Sequence, residues 1–183
     1  MENKYLMLIR HFETYYDKKN NEKIKFDESF KKADMFVKYI KKFIDKYPDI
    51  KKIKFYTSDQ DRTIMTSLVL SSILKSEIIK NNIKNIKIYD PIIDNIIDRD
   101  PKKNKSDKIC QEFQNMIKNE MKENTLHIYI THSSIIYNLF KCILYYLFGE
   151  KFNDSNKKIH NYSISYVAKN YDKIHYNFNK KID

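Results

Sequence analysis

Four short, largely apolar runs recur along the chain, at residues 5–9, 53–57, 86–89 and 126–131, and the stretches between them carry apolar residues at helical spacing. A run of this length without strict polar alternation is the mark of a strand covered on both faces. Strands that alternate with helices cannot be joined by tight hairpins, so they cross over and align in parallel, with helices packed above and below. The expected fold is therefore α/β, a mainly parallel central sheet flanked by helices on both faces.

The helical patterns fill in this outline. The first, opening at Asp27 as N-cap, sets Phe30, Ala33, Phe36, Val37, Ile40, Phe43 and Ile44 on one stripe and stops at Tyr47-Pro48. The second begins near Asp61 or Arg62 and turns Ile64, Met65, Leu68, Val69 and Ile73 inward. A charged, irregular stretch at residues 90–105 precedes a third helix, capped by Ser106, with Ile109, Phe113, Met116 and Ile117 as its stripe. The fourth starts at Ser133 or Ser134 and closes at Gly149, and residues 162–168 and 174–178 read as two final strands around a turn at 169–172.

A length of 183 residues suits one domain, residues 1–183, and the single Gly and three Pro leave no flexible linker. The net charge is +11, but it comes mostly from lysines scattered over the solvated faces of helices and loops. No dedicated nucleic-acid surface is expected, although such a field attracts phosphorylated ligands. The N-terminus carries no secretory pattern, and the most apolar stretch, residues 134–148, is broken by Asn138 and Lys141, so no membrane span is expected. Cys110 and Cys142 fall in separate helices without metal-type spacing, which favours free thiols in a reducing compartment and a cytoplasmic protein.

Each strand run is followed by chemistry-bearing residues. Arg10-His11 follows the first, Arg62 opens the helix after the second, Asp94 follows the third and His132 the fourth. Open α/β sheets place their ligand sites at these strand ends. Two guanidinium forks suit the oxygens of a phosphoryl group, one neutral imidazole can attack phosphorus, a second can hydrogen-bond it, and a carboxylic acid can protonate the departing oxygen. That set of groups points to phosphoryl transfer through a phosphohistidine. For His11 to serve as nucleophile, its other ring nitrogen should donate to a carbonyl or side-chain acceptor, which fixes the tautomer. The ordinary alternatives are a surface ion pair of Arg62 with Asp59 or Asp61 and a capping or core role for His132. His127, His160 and His175 lack such settings and read as structural or exposed.

These same residues carry a resemblance. Arg10-His11-Phe12-Glu13-Thr14 resembles the Arg-His-Gly-Glu-Thr/Ser signature of the histidine phosphatase superfamily, which includes the cofactor-dependent phosphoglycerate mutases. Ser58, Arg62 and Thr66 match its Ser-x-x-x-Arg-x-x-x-Thr segment, His132-Ser133-Ser134 is similar to its late His-Gly-Gly, and Asn161-Tyr162-Ser163-Ile164 to its Asn-x-Ser-Ile. The matches run in the family's order over nearly the whole chain. The resemblance implies the family's three-layer fold, with Arg10 and Arg62 binding substrate, His11 as nucleophile and His132 beside it, and neither metal nor other cofactor.

It also implies an acid after the third strand, where the family reads Leu-x-Glu. Ile92-Ile93-Asp94 matches with aspartate for glutamate, and Asp98 and Asp100 stand as rivals in the same stretch. Phe12 and Ser133-Ser134 replace family glycines, which is expected to narrow the pocket or redirect the backbone. Residues 15–25 lack the arginine and glycine with which the mutases contact substrate, and the chain is short, so a small phosphatase fits better than a mutase. The expected substrate is a phosphorylated small molecule or a phosphoprotein. The alternatives are a catalytically degenerate relative that binds phosphorylated ligands, and a mutase-type phosphotransferase.

Overall fold

The computed structural model describes residues 3–16, 18, 22–24, 26–81, 83, 85–94, 106–121, 123–149, 151–152, 159–170 and 173–182. Strand β1 (Lys4–Arg10) leads into a small hairpin of β2 (Thr14–Tyr16) and β3 (Glu22–Ile24), then helix α1 (Phe26–Lys46). β4 (Lys52–Thr57) is followed by α2 (Asp61–Lys80) and two short strands, β5 (Lys87–Ile88) and β6 (Ile92–Ile93). α3 (Ser106–Glu120), β7 (Thr125–Thr131), α4 (Ser133–Phe148), β8 (Ser163–Asn170) and β9 (Lys173–Lys181) complete the order.

The main sheet runs β5-β4-β7-β1-β8-β9, with β6 also pairing β4. Its centre is parallel, β4 with β7 and β7 with β1, while β8 and β9 add an antiparallel edge. Arg10 pairs Thr131 and Thr57 pairs Ile130, so β1, β4 and β7 end flush with one another. Side chains alternate across this sheet. Tyr5, Met7 and Ile9 pack beneath α1 and α2, while Leu6 and Leu8 face the layer that includes α3 and α4. The result is a three-layer sandwich, as expected for continuous apolar strands.

Several expectations are corrected. α1 buries Ala33, Phe36, Val37, Ile40, Phe43 and Ile44, but Phe30 is 49% exposed. This helix begins at Phe26, so Asp27 lies inside its first turn, where a carboxylate favours the positive helix end. The third strand run at residues 86–89 shortens to β5, β6 falls within the stretch expected to be irregular, the hairpin of β2 and β3 is an addition, and Ser106 is the first residue of α3 instead of its cap. In α2 the most buried face carries Thr63, Thr66, Ser67, Leu70, Ser71 and Leu74, whereas Leu68 is 44% exposed. Small residues let this helix approach the sheet closely, and their hydroxyls satisfy themselves on backbone carbonyls one turn back: Thr66 on Arg62, Ser67 on Ile64, Ser71 on Leu68. Of the α3 stripe, Phe113 is buried, and the side chains of Ile109, Met116 and Ile117 lie outside the described residues.

The cysteines are not free. Cys110 of α3 and Cys142 of α4 are joined in a disulfide with their Cα atoms 5.6 Å apart. Sequence spacing could not reveal this, because the pairing depends on how the two helices cross. Closing a loop of 32 residues in the unfolded chain stabilises the fold by roughly 3–4 kcal/mol on the chain-entropy account. α4 ends at Gly149, whose φ of 69° is the left-handed conformation that suits glycine, and the Gly149 amide donates back to Tyr145. Among the described residues no helix is long and apolar enough to cross a membrane.

His127 on β7 is fully buried, stacked on Tyr56 at 5.7 Å and sharing a hydrogen bond with its hydroxyl at 3.2 Å. Burial, with a smaller contribution from Lys54 and Lys4, pushes its pKa from 6.5 down to about 4. The unfolded chain therefore takes up this proton at a higher pH than the folded one, so stability is full above pH 6.5 and falls as the pH drops towards about 4. The whole loss amounts to about 3 kcal/mol. Urea unfolding of wild type and His127→Gln at several pH values from 7.5 to 4.5 measures it. The variant should lose this part of the slope, and parallel profiles would show that His127 does not contribute it.

Candidate active site

β1, β4 and β7 end together, and the residues just beyond them converge. Ile9 faces the α1 side, so by alternation Arg10 turns to the opposite layer, where its Nη1 donates to the Ile159 carbonyl at 2.8 Å. The next amide, that of His11, continues the parallel ladder by donating to Thr131 at 3.0 Å. His11 leaves the sheet there, half-buried, with its Nδ1 2.8 Å from the Phe12 carbonyl. A carbonyl only accepts, so Nδ1 holds the proton and the lone pair lies on Nε2. This is the tautomer that a nitrogen nucleophile needs.

The His132 ring lies 5.1 Å from that of His11, centroid to centroid, and is only 2% exposed. His132 is the N-cap residue of α4, with an extended backbone and a carbonyl that accepts from Ile135 and Ile136, both at 3.0 Å. Its Nε2 is 3.2 Å from the Ser58 hydroxyl, which is in turn 2.7 Å from that of Thr63. Thr63 can spend its own proton on the Gln60 carbonyl, at 2.7 Å. That arrangement lets Ser58 donate to Thr63 and accept from His132, which places a proton on Nε2 of His132.

Arg62 sits in the first turn of α2, 8% exposed, with one guanidinium nitrogen donating to the Gln60 side-chain carbonyl. α2 and α4 thus both begin at the strand ends, and their first-turn amides present the positive end of each helix to whatever binds between them. Thr66, one turn further along α2, accepts the Phe12 amide at 3.0 Å and donates to the Arg62 carbonyl at 2.6 Å. It thereby ties the His11 loop to the helix that carries Arg62. Asp94 follows β6, half-buried, and its amide donates to the Thr57 carbonyl at 2.7 Å, so this residue too is anchored at the end of β4. Asp98 and Asp100 lie outside the described residues.

Arg10, His11, Arg62, Asp94 and His132 are all located at this one edge. The structure gives roles to residues that the sequence offers only as motif matches, Ser58 beside His132 and Thr66 holding the Phe12 amide, and adds Gln60, which holds Arg62. Ser58, Arg62 and Thr66 recur at intervals of four, and that spacing was the available signal, since it puts the last two on one helical face. The replaced glycines behave otherwise than expected. Phe12 is fully buried against Phe36 and Tyr162, at 5.7 and 6.1 Å, so its ring fills core instead of narrowing a pocket. Neither Phe12 nor Ser133 nor Ser134 has a positive φ, and no position there demands glycine. Among the described residues no three His, Cys, Asp or Glu side chains cluster as metal ligands would.

A mainly parallel sheet between two helical layers, with this strand order, is the phosphoglycerate mutase-like fold. Solved structures that share it include the phosphoglycerate mutase of Plasmodium falciparum, at a TM-score of 0.50 and 15% identity, covering 95% of this chain and 97% of that one. They also include a structure described as the phosphohistidine phosphatase SixA of Nakamurella multipartitia (0.56, 10%, covering 92% and 86%) and YhfR of Bacillus stearothermophilus (0.52, 14%, covering 93% and 94%). At such identities the likeness is one of fold. No family model and no curated protein sequence matches the chain.

Proposed function

We propose that this chain is a metal-independent phosphatase of the histidine phosphatase type, acting on a phosphomonoester or a phosphorylated protein side chain. The observation that carries the reading is the His11 tautomer: Nδ1 bonded to the Phe12 carbonyl, with a second imidazole 5.1 Å away. In the first step the Nε2 lone pair of His11 attacks phosphorus and the ester P–O bond breaks. Asp94, as the carboxylic acid, gives its proton to the departing oxygen. In the second step water attacks the phosphohistidine, Asp94 takes the proton, and the P–N bond breaks to release phosphate and neutral His11. Arg10, Arg62 and His132 hold the equatorial oxygens, where charge accumulates in both transition states.

The SixA neighbour, whose own activity as a phosphohistidine phosphatase is a proposed one, is in line with hydrolysis, and so is the absence of arginine between Tyr15 and Lys25, where mutases recognise their substrate. The glycine replacements lend no weight to an inactive binder, because Phe12, Ser133 and Ser134 fit their backbone without a positive φ. Cytoplasmic action is part of the same proposal, with the Cys110–Cys142 bridge as the feature that must persist there. The deciding experiment is a panel of phosphomonoesters and phosphopeptides with EDTA present, followed by quenching in search of an acid-labile, base-stable phosphoenzyme. Phosphate release with such an intermediate supports the reading, and release without it removes the phosphohistidine.

Arg62 gives a further expected result. Its replacement by Ala removes a charged contact in a nearly buried position and should weaken binding of phosphate or vanadate by about 2–4 kcal/mol. Lys at this position should restore only part, since an ammonium lacks the planar fork. Calorimetric titration measures both, and an unchanged affinity in Arg62→Ala would take this residue out of the site.

A further inference from the structure

A cavity of about 420 Å³ lies between α1 and the end of β9, on the α1 side of the antiparallel edge. Its walls carry four lysines: Lys38 and Lys42, one helical turn apart on α1, and Lys180 and Lys181 at the end of β9. Met35, Tyr39 and Ile182 supply the apolar part, and no lining residue is acidic. A bulge precedes the two lysines of β9. Between Ile164 and Tyr166 of β8 the partner positions run from Lys180 to Asn177, one residue more on β9 than on β8. Within it Asn179 has a φ of 54°, a left-handed conformation that costs a non-glycine residue energy. Two hydrogen bonds hold it there: its amide donates to the Ser165 hydroxyl and its side-chain carbonyl accepts from the His160 amide, each at 2.9 Å. The bulge sets the phase of the strand end, so that Lys180 stands opposite Ile164, which packs in the core cluster on the α1 side.

Lys41, on the adjoining face of α1, is paired with Glu77 at 2.9 Å. Among the described residues Lys38, Lys42 and Lys180 have no carboxylate partner, and Lys180 instead lies over the Tyr39 ring, 4.9 Å from its centroid. Lys32, one turn earlier on α1, reaches the Ile182 carbonyl at 3.4 Å and adds to the same field. Ammonium groups gathered at one concavity repel one another until an anion enters. Lysine contacts phosphate as a point charge, and cations contributed by both α1 and β9 suit a ligand with more than one anionic group. The volume is that of a small-molecule site. It flanks the antiparallel edge two strands from β1, with Lys180 level with Ile9 through Ile164 of β8, and none of Arg10, His11, Arg62, Asp94 and His132 lines it.

We propose that this cavity binds a small molecule carrying two or more phosphate groups, at a site distinct from the one that contains His11. The chemistry is shared by a free oligophosphate and by a multiply phosphorylated lipid headgroup. The test is titration of the full chain in the Arg62→Ala background, which weakens the other anion site, with tripolyphosphate and with orthophosphate. Tripolyphosphate should bind one to one and at least roughly tenfold more tightly than orthophosphate. Lys38→Ala/Lys180→Ala should weaken it by roughly tenfold or more, and Lys38→Arg/Lys180→Arg should restore it. Lys51→Ala/Lys52→Ala removes equal charge from exposed positions elsewhere and should change little. Equal loss in both alanine pairs, or equal affinity for the two anions, overturns the proposal. Vesicles containing phosphatidylinositol bisphosphate, compared with plain phosphatidylcholine, distinguish the sources: retention that depends on Lys38 and Lys180 assigns the headgroup, and binding of free tripolyphosphate alone assigns the soluble ligand.

Discussion

His11→Ala is expected to abolish phosphate release together with the phosphoenzyme, a fall of roughly 10⁴-fold or more, because no other group inherits its position. In the proposed route the attacking atom is Nε2, left with the lone pair by the Nδ1 contact with the Phe12 carbonyl at 2.8 Å, and alanine removes both. The His132 ring, 5.1 Å away, is oriented differently, with its Nε2 turned to Ser58. It therefore cannot substitute as nucleophile without breaking the Ser58 and Thr63 chain. The fold should tolerate the change, since His11 is only half-buried and the loop is held by backbone groups, His11 on Thr131 and Phe12 on Thr66. An unfolding midpoint close to wild type makes the loss a chemical one. Turnover at the wild-type rate in a folded His11→Ala protein would disprove the covalent route.

The residues that carry this chemistry were legible because strand ends are easy to read. An apolar run buried on both faces stops where polar side chains begin, so Arg10-His11 and His132 mark the edge of the sheet directly. Hidden interactions were less accessible. The hydropathy stripe of α2 was drawn through Leu68, yet this side chain is 44% exposed while Ser67 and Ser71 face the core. A rule that sends polar residues outward fails when a hydroxyl can bond to its own helix. The hairpin of β2 and β3 lies among lysines and asparagines with no apolar alternation to announce it. Phe12 was read as an intruder in a glycine position, but its backbone has no positive φ and its ring had a place in the core beside Phe36. The pairing of Cys110 with Cys142 depends on helix packing alone, which spacing along the chain does not encode.

Asp94→Asn should slow hydrolysis of alkyl phosphates by ~10²- to 10⁴-fold and spare aryl phosphates with acidic phenols much more. An alkoxide is a poor leaving group and needs its proton as the P–O bond breaks, whereas a stabilised phenolate departs without one. The position suits a donor. The Asp94 amide is anchored to the Thr57 carbonyl at 2.7 Å, at the end of the strand from which Ser58 reaches towards His132. A carboxyl group one methylene shorter than that of glutamate needs its backbone held close, and this hydrogen bond fixes the Asp94 backbone at the strand end. Asparagine keeps the size and polarity of the side chain but cannot give or take the proton, so binding should change little while kcat falls. Dephosphorylation needs a base in the same place, so in Asp94→Asn the phosphoenzyme should accumulate with aryl substrates, whose first step is spared. Asp98→Asn and Asp100→Asn serve as controls in the same stretch of chain. A leaving-group-dependent loss in Asp98→Asn, with none in Asp94→Asn, would transfer the role to Asp98 and shift the register of the loop by one helical turn's worth of residues.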